Sequence, residues 1–182
     1  DLVILNHSLL FSLLGAGVSS SHEGSGILFP DDFLVFDEAH EITEVASEHL
    51  GVSLSSWALE TLMRQLYNPK KRKGLLSRLA READLVALNH SVDAIQDFFQ
   101  YLHLDILDQK DRLRLHKSVT LPMEIFPPLS RLLRNLIELS EVAKDETLKI
   151  ELRDKIKRLQ GYLSDLAEVV DQKKPDTVYW LE

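Results

Sequence analysis

The sequence predicts a mainly α chain: an elongated helical bundle attached to a small α/β segment at its N-terminus. Three observations carry this. Long stretches beyond residue 41 place Leu and Ile at steps of three and four, the period of helices packing along a narrow apolar seam. Two short apolar runs, Leu2-Val3-Ile4-Leu5 and Phe33-Leu34-Val35-Phe36, have the length and uniformity of buried strands. The apolar fraction of 45% in 182 residues supplies a real core and exceeds what one small domain needs.

The first run starts at Asp1 and ends in Asn6-His7, leading into Ser8-Leu9-Leu10. Gly15-Ala16-Gly17 follows as a lone G-x-G without lysine, which reads as linker rather than as a phosphate loop. A Gly/Ser-rich connection and Ile27-Leu28-Phe29-Pro30 then lead to the turn signal Pro30-Asp31-Asp32. The second run carries Asp37-Glu38-Ala39-His40 at its C-terminal end. Carboxylates leaving a strand at that end stand where open α/β sheets bind ligands. Such a pair suits nucleoside triphosphate hydrolysis: Asp37 holding Mg²⁺ on the phosphates, Glu38 orienting the attacking water.

A short helix is expected from about Leu54 to Tyr67, with a start signal at Ser55-Ser56. Leu85, Leu88, Val92, Ile95, Phe99, Leu102 and Ile106 mark a second helix. Pro127-Pro128 opens a third, in which Leu129, Leu132, Leu133, Leu136 and Ile137 share one side. Leu152, Ile156, Leu159, Leu163, Leu166 and Val170 mark a fourth, with Glu151–Lys155 and Asp154–Arg158 as i, i+4 pairs. Asp84–Ser91 nearly duplicates Asp1–Ser8. The flanks differ, so the likeness is coincidence, and the two copies are expected to be helix and strand respectively.

Lys70-Lys71-Arg72-Lys73 is the one basic cluster in a chain of net charge −8. It reads either as a solvated connection between helices or as a phosphate contact on single-stranded DNA. No aromatic residues interleave with it to stack bases, although Tyr67 is adjacent. His40-Glu41-Ile42-Thr43-Glu44 lacks the second histidine of a zinc protease motif. His22, His49, His90, His103 and His116 are separated singles. With no cysteine the chain has neither a disulfide scaffold nor a thiolate metal site. No run reaches the length of a membrane span or resembles a signal peptide, so no membrane partner and a cytoplasmic location are expected.

The order of Asn6-His7 with Leu9-Leu10, the Phe29-Pro30 turn and the Asp37–His40 box resembles the first motor domain of the DinG/XPD family of superfamily 2 DNA helicases. Val178–Glu182 looks like the strand by which those chains return to the motor after a helical insertion, the arch. The resemblance implies a partial RecA-like motor domain over 1–40, an arch-like insertion over 41–177 and a return strand over 178–182. It also implies Mg²⁺ and ATP as cofactors, single-stranded DNA as partner, and a role for His40 in linking nucleotide state to the second motor domain. The arch would shape the DNA passage and offer a surface to protein partners. Several relatives carry a four-cysteine iron–sulfur cluster upstream of the Asn-His strand, a point this sequence leaves open. No G-x-x-x-x-G-K-[ST] loop is present, and the chain begins without methionine at what reads as the first residue of a strand. A piece of a larger protein is therefore expected, inactive alone, with exposed strands that can pair two copies into a dimer. The rival reading is a free-standing helical interaction module in which the Asp-Glu-Ala-His sequence is accidental.

Overall fold

The computed structural model describes residues 3–15, 33–116, 119–174 and 177–182. The chain forms two compact units, residues 1–53 and 54–182. The boundary lies inside the stretch expected to belong wholly to the helical insertion.

The first unit contains α1 (His7–Gly15) and α2 (Ile42–Leu50), which pack together. Asn6 starts α1: its side-chain Oδ1 accepts from the Leu9 amide at 2.7 Å and its carbonyl from the Leu10 amide at 3.1 Å. That satisfies two of the amides a helix start leaves without partners. Leu10 and Phe11 are buried, and Ser12 Oγ lies 3.2 Å from His49 Nδ1 on α2.

The expected strands do not form here. Residues 3–6 and 33–36 lack regular secondary structure, and Phe33 and Val35 are almost fully exposed. The reason is physical: a strand of a parallel sheet exists only through ladder partners on its sides and helices over its faces. Among the described residues nothing supplies them. Among the described residues the α/β remnant is thus not seen as a sheet, and residues 3–8 of the first octapeptide copy are not seen as a strand. The Gly15-Ala16-Gly17 linker, the Ile27–Pro30 segment, the following turn and His22 lie wholly or partly outside the described residues.

The second unit is a four-helix bundle: α3 (Ser56–Leu66), α4 (Glu82–Tyr101), α5 (Phe126–Val142) and α6 (Glu146–Asp171). Contacts run α3–α4, α4–α5, α5–α6 and α6–α3, so each helix has two neighbours and the ring closes. Each start has a local cause. Ser55 Oγ accepts from the Ala58 amide at 3.1 Å, and Asp145 Oδ1 accepts from Thr147 and Leu148 amides at 2.9 and 3.4 Å. Pro127 and Pro128 occupy the first turn of α5, where a missing amide hydrogen costs nothing.

Leu59, Leu62 and Leu66 of α3, Leu129, Leu132 and Leu136 of α5, and Leu152, Leu159 and Leu166 of α6 are fully buried. On α6 the heptad positions are as expected. On α4 the buried face is Asp84, Ala87, Leu88, Ser91, Ile95 and Phe98. Of the expected row, Leu88 and Ile95 lie in that face and Leu102 just beyond the helix is buried too, while Leu85, Val92, Phe99 and Ile106 are half-buried along its edge. A helix held between two neighbours buries a wider stripe than a two-helix seam does. The exposed pairs expected on α6 are also absent: Lys155 Nζ meets Asp154 at 3.1 Å instead.

After α4 the chain continues as a π-helical turn, Leu102–Leu107, and then forms β1 (Leu113–Leu115). Its partner is β2 (Tyr179–Leu181), paired antiparallel within the same unit. The expected return strand is therefore a strand, but its described partner is β1. Gln172, past the end of α6, binds both backbone groups of Val119 through its side-chain amide, at 2.9 and 3.0 Å.

Asp84 is the buried polar residue on which α4 depends. Its carboxylate accepts from the Arg81 amide at 2.9 Å and from Arg81 Nε and Nη2 at 3.1 Å each, while Nη2 also reaches Glu138 Oε2 on α5 at 3.2 Å. Burial pushes the carboxyl up, but hydrogen bonds from Arg81, with a smaller one from Asn135, outweigh it and hold it below the usual carboxylate range. Asp84→Ala should cost about 1–3 kcal/mol of stability at neutral pH, read by urea melts. Because the folded-state value is depressed, that contribution is present above the unfolded value of about 3.9 and is lost as pH falls through the folded one. The gap between wild type and variant should narrow on acidification; a gap that widens would refute this.

Candidate functional site

Asp37, Glu38 and His40 stand together, all exposed, at the entrance to a 3₁₀ turn (Ala39–Glu41) that runs into α2. Asp37 Oδ1 accepts from the Glu38 amide at 3.0 Å, and the Glu38 carbonyl accepts from the Glu41 amide at 2.9 Å. Glu38 adopts a left-handed backbone, φ 48° and ψ 47°, a conformation that costs a non-glycine residue about 1–2 kcal/mol. This reversal turns the chain from the irregular Phe33–Phe36 segment into the helix. It also brings Glu38 Oε2 within 3.3 Å of His40 Nδ1.

The Asn-His segment meets this corner. The His7 ring lies 6.0 Å from that of Phe36, tilted by 45°, so the start of α1 and the residue before Asp37 are neighbours. Two short motifs widely separated in sequence share one end of the first unit.

Among the described residues no three acidic, histidine or cysteine side chains form a cluster able to hold a metal by themselves. That is compatible with Mg²⁺ on a nucleotide, which takes one or two carboxylates and draws its other ligands from phosphate and water. Asp37 fits this use, since one of its oxygens serves the Glu38 amide and the other remains.

The basic cluster lies in the second unit, between α3 and α4. Asn68 and Lys73 pair across a tight hairpin, with N···O distances of 2.7 and 3.4 Å, and Asn68 Oδ1 accepts from the Lys71 amide at 3.1 Å. Arg72 is left-handed at φ 49°, and Gly74 lies at φ 143°. A Cβ at Gly74 would stand 2.5 Å from the Leu66 carbonyl oxygen, so the turn requires glycine there. Lys70, Lys71, Arg72 and Lys73 are exposed, and none has an ion-pair partner among the described residues. The cluster is a folded turn presenting four cations.

If the turn contacts single-stranded DNA, changing all four to Ala should flatten the dependence of log affinity on log salt. Every phosphate that the turn no longer neutralises lowers the magnitude of the slope by about 0.7. An unchanged slope would make the turn a solvated connection only.

Other features went unread in the sequence. Arg81-x-x-Asp84 is a capping box without the usual Ser or Thr. The pairing of β1 with β2 brings Arg112 and Arg114 beside Trp180, and no local pattern announces such a long-range contact. His90 lines a shallow groove with Asp93, Asp97, Phe98 and Ile125.

By sequence the chain is similar to DNA helicases of the DinG/XPD type. Over 67 residues it is 37% identical to the ATP-dependent DNA helicase YoaA of Haemophilus influenzae, and equally to YoaA of Escherichia coli. The match covers 36% of this chain and 10% of each relative's length. No family model matches the chain, and no solved structure matches it. No helix among the described residues is long and apolar enough to cross a membrane.

Proposed function

We propose that this chain is part of an ATP-dependent DNA helicase of DinG/XPD type, with its first unit from the motor and its second unit forming the helical insertion. The observation that carries the reading is the 37% identity to YoaA, a protein named as an ATP-dependent DNA helicase. The neighbouring positions of Asn6-His7 and Asp37–His40 in the first unit add support, because a site assembled from two motifs needs them on one corner.

In this reading Asp37 would hold Mg²⁺ on the nucleotide, which would supply charge neutralisation at the phosphates. Glu38 accepts a hydrogen bond from the attacking water and orients it. His40, 3.3 Å from the Glu38 carboxylate, would sense what that carboxylate holds and pass the nucleotide state to the second motor domain. The four-helix unit shapes the passage for single-stranded DNA, and its surface is available to protein partners. ATP and Mg²⁺ are the cofactors of the intact protein.

The test is hydrolysis by the intact parent. ATP turnover should rise with single-stranded DNA, and Asp37→Ala should abolish it by removing the Mg²⁺ ligand. The 182-residue chain alone should show none, because it has no phosphate-binding lysine loop. A parent whose Asp37→Ala variant hydrolyses ATP normally would overturn the reading.

A further inference from the structure

The β1–β2 ribbon has two unlike faces. Leu113, Leu115, Tyr179 and Leu181 are half-buried, Leu181 against the helical core, while Arg112, Arg114, His116 and Trp180 are exposed, following the two-residue period of strands. Arg114 is paired directly across from Trp180. The Arg112 guanidinium lies 5.0 Å from the Trp180 ring centre, and its Nε is 3.5 Å from Glu182 Oε2. Trp180 remains 40% exposed.

Cross-strand packing explains only part of this. An Arg–Trp pair steadies a ribbon, yet the inner face already anchors it, with Leu181 packed on the core. An outward indole with one guanidinium over its ring and a second arginine as its cross-strand partner adds what the Lys70–Lys73 turn lacks, a π-surface beside positive charge. Arg114 has no ion-pair partner among the described residues. On a chain of net charge −8, such a patch is complementary to a polyanion with exposed aromatic rings.

We propose that the outer face of the β1–β2 ribbon binds single-stranded nucleic acid, with one base stacked on Trp180 and flanking phosphates held by Arg112 and Arg114. Stacking selects a single strand, because bases in a duplex are already stacked on each other. The inference rests on the helicase reading for why such a strand is at hand; the site itself is read from the ribbon.

The experiment uses the full chain carrying Trp57→Phe, which leaves Trp180 as the sole indole, titrated with an oligothymidylate of about 20 nucleotides. Trp180 fluorescence should quench saturably, and Trp180→Ala should weaken binding about ten-fold or more, with Trp180→Phe retaining most of the affinity. Arg112→Ala with Arg114→Ala should reduce the salt slope by about 1.4. If Trp180→Ala loses its cooperative melt, Arg114→Glu, which keeps the ring, serves in its place and should weaken binding likewise. Absence of binding, tighter binding to duplex, or affinity indifferent to the ribbon variants would overturn the proposal. Binding abolished only on changing Lys70–Lys73 would move the contact to that turn and leave the helicase reading standing, since that reading is tested by hydrolysis in the parent.

Discussion

Glu38→Gln in the intact parent should lower ATP turnover by about two to four orders of magnitude while leaving Mg²⁺-dependent nucleotide binding close to wild type. The expectation follows from separating two roles. In the proposed mechanism Asp37 would contact the ion in the ground state, so its loss would affect binding. Glu38 would act on the water, whose interaction with the carboxylate strengthens only as the bond to phosphorus forms, so its loss would affect the barrier. A positioned acid–base group contributes about 10²–10⁴ to a rate. Gln keeps the shape of Glu and asks for the same left-handed backbone at φ 48°, so the change removes charge without rebuilding the corner. The contact to His40 at 3.3 Å would then be made to a neutral amide. Single-turnover hydrolysis beside nucleotide-binding titrations separates the two effects. Near-normal turnover in the variant would remove Glu38 from the role proposed for it.

The helices were legible in the sequence because their causes are local. Ser55 as a cap, Pro127-Pro128 in a first turn and the Leu152–Leu159–Leu166 row act within a few residues, and the structure shows each where the sequence puts it. Even there, burial of Asp84 was hidden, since it depends on an arginine three residues earlier and a glutamate on another helix. The strands were the opposite case. Phe33–Phe36 has strand composition, but ladder formation is decided by partners elsewhere, and the described residues hold none. Asn6, read as the end of a strand, instead caps a helix that starts at His7. Val178–Glu182 was read as a strand correctly, yet its partner Leu113–Leu115 could not be, because pairing at that separation leaves no local mark. The candidate carboxylates were visible as a motif. Their corner geometry, the Glu38 reversal and the approach of His7 to Phe36 came only with the fold.

The amides of residues 33–36 should exchange with solvent at close to unstructured rates in a dilute sample of this chain, whereas those in the middle of α4 and α5 should exchange at least about four orders of magnitude more slowly. Residues 33–36 have no backbone hydrogen bonds among the described residues and expose their side chains, Phe33 at 98%. The bundle helices are different, with every neighbour present and fully buried leucines at each contact, so their amides open only with cooperative unfolding of the unit. The same exposure makes the segment adhesive. Unpaired apolar edges invite pairing with a second copy, so raising the concentration should protect residues 33–36 in step with dimer formation measured by sedimentation. The bundle's protection should not change. In the intact parent the segment would instead join a parallel sheet and be protected at any concentration. Deep protection of residues 33–36 in a sample shown to be monomeric would contradict this. It would mean that the segment finds its partners within the chain, and the assignment of the first unit to a motor domain that completes it elsewhere would fall.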